Sequence, residues 1–218
     1  MTSAGSGTWI TSARIGWENG GVTKDRSVAH DHAHSAATGP IADASVRIAR
    51  PHDASAVGLA QAAVWRAAYG TVLPQEVVEE FDGSSFARVW RDSLNTPPSP
   101  RHVLLVACAG EQVVGFAAVG PSIDPDADET SGEVLALGVH PEARCSGHGS
   151  RLLNAAVDTL RGKGFNSMSV WLLARDEDTR AFLTAAGLSP DGAFRDRVID
   201  VDRVLAREVR LTAVLSRD

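Results

Sequence analysis

The stretch EVLALGVHPEARCSGHGSRLL, residues 133–153, decides how the chain is read. Its first seven residues form an apolar run of strand length. The Leu152-Leu153 pair then opens a helical pattern continued by Ala156, Val157 and Leu160. Between them Cys145, Ser146, Gly147, Gly149 and Ser150 are all small, and Arg144 stands at the rim. A helix amino terminus presents unpaired N–H groups and the positive end of the dipole, so it attracts phosphates. A loop without bulk lets an anion reach that backbone, and an arginine suits phosphate oxygens. The same glycines also serve a tight strand-to-helix turn, and the loop alone leaves both readings open. Two other phosphate-binding patterns are excluded. The Walker pattern needs a lysine that is absent here, and the dinucleotide fingerprint needs a third glycine where Leu152 stands.

Working outward, residues 1–45 are rich in Gly, Ser, Thr and Ala, with no sustained period of 2 or 3.6. Such a segment buries too little apolar surface to offset its ordering entropy and is expected to be a flexible extension. Within it His30, His32 and His34 alternate with Asp31 and Ala33. They read as a solvated tail ahead of a weak metal tract, and no metal site is expected. Trp9 and Trp17 have no pattern that assigns them a partner.

The domain is expected over 46–218. Val46–Arg50 alternates as a short strand. Asp53 is placed to cap a helix with Val57, Ala60, Val64 and Ala67 on one face, ending near Tyr69-Gly70. Pro74 opens a second short helix, and residues 84–94 form a third. Strands at 102–109 and 112–119 join through Gly110-Glu111, a hairpin signal. The acidic loop SIDPDADETSG precedes the strand at 133–139. After the glycine loop, Gly162 and Gly164 stop the helix, Met168–Leu173 is a strand, and Asp176 starts a helix ending at Gly187. Residues 204–215 alternate as a strand with Glu208, Arg210 and Thr212 on a wet face. The order is that of one mixed α+β domain with a βαβ unit at its heart.

Bulk properties exclude other classes. Of 218 residues 21 are Lys or Arg and 27 are Asp or Glu, a net charge of −6 without a basic field for nucleic acid. The longest apolar run, Val103–Gly110, is far short of the ~20 residues that span a bilayer. No basic-then-apolar leader opens the chain, and two cysteines support no disulfide framework, so a cytoplasmic protein is expected.

Arg144-Cys145-Ser146-Gly147-His148-Gly149 resembles the Arg/Gln-x-x-Gly-x-Gly/Ala signature of GNAT-superfamily N-acetyltransferases. Further pieces agree in order. Trp65-Arg66-Ala67-Ala68-Tyr69 with Leu73-Pro74 is similar to the first-helix segment of one subgroup, and Gly132–Leu137 to its fourth strand. Ala181-Phe182 with Ala185-Ala186-Gly187-Leu188 resembles the Phe-Tyr-x-x-x-Gly-Phe stretch, and Glu208-Val209-Arg210 the final strand. The resemblance covers about residues 46–215.

It implies a GNAT-like fold: a mostly antiparallel twisted sheet, a splayed parallel pair around acetyl-CoA, and helices on both faces. It implies backbone bonds from Leu137 and Val139, around Gly138, to the pantetheine arm. The amides of Arg144, Cys145, Ser146, Gly147, His148, Gly149 and Ser150 would take the pyrophosphate. Asp176 stands where the family places an Asn at the cofactor arm, and it equally suits a helix cap. Phe182 would lie against that arm or in the core. Such domains frequently pair as homodimers.

Acetyl transfer to an amine needs a neutral nucleophile, and an amine is mostly protonated at pH 7. Glu133, heading the thioester strand, is the candidate base; the plain alternative is a strand-edge carboxylate in solvent. His140 is a weaker candidate. The Leu137 N–H would meet the oxyanion. The family often protonates the leaving thiolate with a tyrosine where this chain has Leu183, and the only tyrosine is Tyr69. Two readings follow: an acetyl-CoA-dependent N-acetyltransferase acting on an amine acceptor, or a catalytically weak acyl-CoA-binding sensor or partner module. A nucleic-acid or phosphosugar module fits the acidic balance poorly. Asp124, Asp126, Asp128 and Glu129 suit either attraction of a cationic amine or a solvated loop.

Overall fold

The structure is a computed structural model that describes residues 44–71, 73–198 and 205–215. The amino-terminal tryptophans and the His30-His32-His34 tract lie outside the described residues. In chain order the elements are β1 (Ala44–Ile48), α1 (Ala54–Tyr69), α2 (Gln75–Glu79), α3 (Gly83–Asn95), β2 (Val103–Ala109), β3 (Gln112–Pro121) and β4 (Ser131–Val139). There follow α4 (His148–Gly162), β5 (Ser167–Leu173), α5 (Glu177–Ala185), β6 (Ser189–Val198) and β7 (Leu205–Val214). The strands form one seven-stranded sheet in the order β1-β2-β3-β4-β5-β7-β6, antiparallel except for the β4–β5 pair. This is the mixed α+β architecture expected from the order of patterns.

Alternation along the central strands divides the apolar side chains between two cores. Leu104, Val106, Phe116 and Leu135 pack under α1 and α3 with Val57, Phe86 and Trp90. Leu105, Ala107, Ala117 and Val134 pack under α4 and α5 with Leu152, Ala156, Leu160 and Leu183. Burying a side chain of this size is worth ~1.5–3 kcal/mol, so the two helical layers hold the sheet from both faces. Between α1 and α3 the buried Trp90 Nε1 donates to Gln61 Oε1 at 2.5 Å, satisfying two polar groups inside the first core.

Two local expectations, at Asp53 and on β7, are corrected, and the glycine stop of α4 is made specific. Asp53 makes no side-chain cap to α1. Its carboxylate accepts instead from the Arg50 N–H at 2.7 Å and takes Arg47 Nη1 and Nη2 at 2.7 and 2.8 Å. The Arg47 guanidinium holds the Asp53 carboxyl at about 2, below the ordinary carboxylate value. Gly162 is the last residue of α4, and the reversal comes at Gly164, with φ of +82°. The expected wet face of β7 is covered: Glu208 is buried and the Arg210 side chain is 13% exposed.

The β6 strand carries no apolar alternation. Its pairing with β7 slips between Pro190 and Phe194, as suits an edge strand. Cross-strand charges hold it. Arg195 Nε is 2.6 Å from Glu208 Oε2, and Arg207 clamps Asp196 at 2.8 and 2.9 Å. No described helix is long and apolar enough to cross a membrane.

Candidate active site

The sheet opens at its centre. β4 and β5 pair only from Ser131/Ser167 to Val134/Val170, although β4 continues to Val139. At the same point the β3–β4 register shifts: Ala118 faces Ala136 and Val119 faces Val134, so Leu135 is an extra residue on β4. A bulge of this kind bends its strand and increases its twist, which carries the rest of β4 away from β5. From Ala136 to Val139 the ladder to β3 is regular again, and the His140 N–H then donates to Val114 O at 2.8 Å. Backbone groups alternate sides along a strand. With His140 turned to β3, Gly138 also faces β3, while Leu137 and Val139 turn their N–H and C=O to the open side.

Gly138 is small for a packing reason. A Cβ there would lie 3.0 Å from Phe116 Cε1 and 3.1 Å from Val64 Cγ2, so the residue admits α1 over the splayed strand. A short 3₁₀ turn over Pro141–Ala143 leads from the strand into the loop, and His140 Nδ1 accepts from Glu142 N–H at a long 3.4 Å.

The loop alternates its handedness. Cys145 has φ of +59° and Gly147 φ of +79°, and His148 then begins α4. A backbone that alternates in this way makes a concave nest of N–H groups. The Arg144 N–H, expected to face the anion, donates instead to Pro141 O at 3.4 Å. The next donor with a backbone acceptor is Arg151 N–H, to Gly147 O at 3.2 Å, so the amides from Cys145 to Ser150 head the helix unspent. Cys145 is non-glycine in a region that costs roughly 1–2 kcal/mol. Arg144 Nε reaches back to Val139 O at 3.4 Å, and Arg151 Nη1 lies 3.4 Å from Ser146 O. Arg151 is a rim cation the sequence reading passed over. Its place one helical turn after Gly147 was the available signal.

The expected residues converge in part. A Cβ on Gly149 would sit 3.6 Å from Phe182 Cζ and 3.8 Å from Val139 Cγ2, so strand end, helix start and α5 meet at one point. Phe182 is partly buried there, while its neighbour Leu183 is wholly buried in the α4-side core. Asp176 caps α5, its Oδ1 accepting from Thr179 N–H at 3.0 Å. His148 points inward, 5% exposed, and its Nδ1 has no hydrogen-bond partner among the described residues.

Glu133 overturns the solvent-edge alternative, because it has no exposed surface. It lies on the first-core face, opposite Gly120 on β3 and Ser169 on β5. Ser122 Oγ donates to Glu133 Oε2 at 3.2 Å and itself accepts from the Asp124 N–H at 3.3 Å. The loop that supplies Ser122 is anchored rather than solvated. The Asp124 side chain is 7% exposed and takes Trp171 Nε1 at 2.9 Å and Arg210 Nη1 at 3.0 Å. Arg210 also clamps Asp126 at 2.6 and 2.7 Å and Asp191 at 2.7 Å, while Arg195 lies over the Trp171 ring at 4.0 Å. The Arg210 bond holds the Asp126 carboxyl at about 2. The acidic run is therefore a strap tied across β5, β6 and β7. Arg210, Arg195 and Trp171 come from strands far along the chain, and no spacing in the sequence announced them.

A recess of about 130 Å³ beside this strap is lined by Ser122, Ser131, Gly132, Ser169, Arg210 and Thr212 among others. That is a few water molecules' worth of space, too small for a cofactor. No group of three His, Cys, Asp or Glu side chains among the described residues is placed to hold a metal ion.

Comparison with known proteins agrees with this geometry. Residues 60–188 match the model of the acetyltransferase (GNAT) family. A curated relative, the uncharacterized N-acetyltransferase YuaI of Bacillus subtilis, is 25% identical over 77% of this chain and 91% of its own length. Among solved structures, yncA of Salmonella typhimurium is a putative acetyltransferase with its cofactor acetyl-CoA. It superposes with a TM-score of 0.59 at 16% identity, over 80% of this chain and 95% of that one. The paia N-acetyltransferase of Thermoplasma acidophilum, in complex with coenzyme A, gives a TM-score of 0.55 at 16% identity, over 76% and 98%.

Proposed function

The chain belongs to the GNAT acetyltransferase family, and from that premise we propose that it moves the acetyl group of acetyl-CoA to a primary amine by direct attack on the thioester. The observation that carries this reading is the splay: β4 leaves β5 after Val134 and still runs to Val139. Its open edge offers the backbone of Leu137 and Val139 to the amides of a pantetheine arm. The nest from Cys145 to Ser150 offers N–H groups to a pyrophosphate, and the Arg144 and Arg151 side chains add charge at its rim. Val139, Gly149 and Phe182 wall the passage between the two, and Asp176 fixes the start of the helix that carries Phe182.

Bound there, acetyl-CoA supplies the activated acyl group. Glu133 takes the proton of the acceptor ammonium, directly or through one water, and Ser122 holds its second oxygen. The Leu137 N–H stabilises the developing oxyanion. A thiolate of pKa roughly 8.5 leaves with the help of water.

Thermal unfolding with acetyl-CoA tests the reading. A ligand that binds only the folded state raises Tm, so tens of micromolar cofactor should raise it here, and no shift at millimolar cofactor removes the proposal. Acetyl-CoA consumption across a panel of small amines and peptides then names the acceptor. One observation favours a second reading, an acyl-CoA-binding module of weak activity. Leu183 is buried and carries no acid for the leaving thiolate. Stabilisation by acetyl-CoA without consumption on any amine selects that reading.

A further inference from the structure

A carboxylate with no exposed surface that takes a proton from a substrate needs an outlet for it. Glu133 is wholly buried, and the sheet register brings a second titratable group to it. Glu133 pairs with Gly120 of β3, and directly opposed residues of an antiparallel pair send their side chains to the same face. A Cβ on Gly120 would lie 2.6 Å from Cδ2 and 3.0 Å from Nε2 of His102. The His102 ring therefore fills the side-chain space of Gly120, on the face from which Glu133 projects. Parity along the chain agrees, since Leu104, two residues on, belongs to the core on that face. The other ring nitrogen, Nδ1, is 2.9 Å from Ser99 Oγ, which also accepts the Arg101 N–H at 3.2 Å. His102 is partly exposed, so the ring spans from the side-chain space of Gly120 toward solvent.

We propose that His102 is the proton outlet of Glu133, reaching it across Gly120 and passing its proton to water. The role rests on the reading of Glu133 as the base; the pairing of the two side chains does not. In the tautomer with hydrogen on Nδ1, donated to Ser99 Oγ, the lone pair is on Nε2. The acceptor's ammonium N–H breaks as the Glu133 O–H forms. That O–H breaks in turn as Nε2–H forms, leaving a carboxylate beside an imidazolium. Loss of one proton to water restores the neutral ring. Burial holds the imidazole below its ordinary value, so the resting ring is neutral near pH 7. The charged groups on the neighbouring segments are Arg101 before β2, Asp124 on the strap, and Arg195, Glu208 and Arg210 on β6 and β7. Those of the covering helices α1 and α3, Arg66, Arg88, Arg91 and Asp92, are solvent-exposed.

Long-range ¹H–¹⁵N correlation spectra of the full chain, followed through a pH titration, test the pairing without any acceptor. The His102 ring is assigned by its loss in His102→Asn. A neighbouring carboxylate favours the imidazolium, so Glu133→Gln should move the His102 midpoint to lower pH by about half a unit or more. An unmoved midpoint overturns the pairing. Should Glu133→Gln unfold, Glu133→Asp serves instead. It keeps the charge but draws the carboxylate back by one carbon, so the midpoint should move to lower pH by a smaller step, and an unmoved midpoint again overturns the pairing. Turnover separates the two readings, with the first amine of the panel that the wild-type protein accepts. His102→Asn should lose about tenfold or more in turnover, keep its KM for acetyl-CoA, and recover with added imidazole. If Glu133→Gln is slow while His102→Asn turns over normally at every pH, the outlet role alone falls. If Glu133→Gln turns over normally, the base reading falls and takes the outlet role with it, while the titration still decides the pairing.

Discussion

The two ends of β4 are built on opposite principles. At its carboxyl end the loop into α4 works through backbone: open amides, left-handed turns at Cys145 and Gly147, and small side chains that stay out of the way. At its amino end Glu133 is set by the Ser122 side chain of the strap, and the strap in turn by side chains of β5 and β7. A backbone site tolerates changes of side chain as long as the dihedral angles survive. A side-chain site fails at each of its members, because every buried polar group it loses leaves a partner unsatisfied. Substitutions at the two ends should therefore separate cofactor binding from turnover.

The largest separation is expected at the side-chain end. Glu133→Gln keeps the shape and an oxygen for the Ser122 hydroxyl but removes the base, so turnover should fall on the order of 10²–10⁴-fold. The Tm rise given by acetyl-CoA should stay as in the wild-type protein. Normal turnover rejects Glu133, and a lost Tm rise would mean that the two ends are not independent. Next in size is Gly147→Val. At φ of +79° a β-branched residue is strained, and its Cβ would lie 2.5 Å from Arg151 Nη1. Acetyl-CoA affinity should drop roughly a hundredfold, about 2.7 kcal/mol, read as a vanished Tm rise at tens of micromolar cofactor. An intact rise would place the anion elsewhere.

The same contrast governs what was legible in the sequence. The carboxyl end is contiguous: apolar strand, small residues, helix, all within 133–153, so its chemistry could be read from spacing. The strand register, the bulge at Leu135 and the handedness at Cys145 could not, because they depend on β3 and on the closing of the loop. At the amino end Glu133 was legible as a candidate, but its environment was not. Ser122, Asp124, Trp171, Arg195 and Arg210 meet only after β5 and β7 pair, with Trp171 opposite Arg210. The alternation that suggested a wet face on β7 was real in period and wrong in meaning, since a charged face can be covered by a charged strap. β6 went unread for a related reason: ion pairs with β7 replace the apolar alternation that marks a strand.

A third substitution tests that strap. Asp124→Ala removes the acceptor of Trp171 Nε1 and one of three carboxylates on Arg210. Arg210 keeps Asp126 and Asp191, so the cost should be about 1–3 kcal/mol rather than that of a stranded buried charge. At ~2–4 °C per kcal/mol for a chain of this size, Tm should fall by several degrees. Released from its anchor, Ser122 should also hold Glu133 less firmly, so turnover should fall while cofactor binding persists. Full turnover on a destabilised chain would make the strap a scaffold only.

The smallest expected effect is the sharpest test of the backbone end. Cys145 sits at φ of +59° with its thiol exposed. Cys145→Gly removes the left-handed penalty of roughly 1–2 kcal/mol and adds the glycine's entropy cost of roughly 0.5–1 kcal/mol in the unfolded chain. The net is a stabilisation of at most about 1.5 kcal/mol, a Tm rise of no more than a few degrees. The N–H at 145 is unchanged by the substitution, so acetyl-CoA should bind as before. A clear loss of affinity would show that the thiol itself takes part, and the loop could then no longer be described as a site made of backbone.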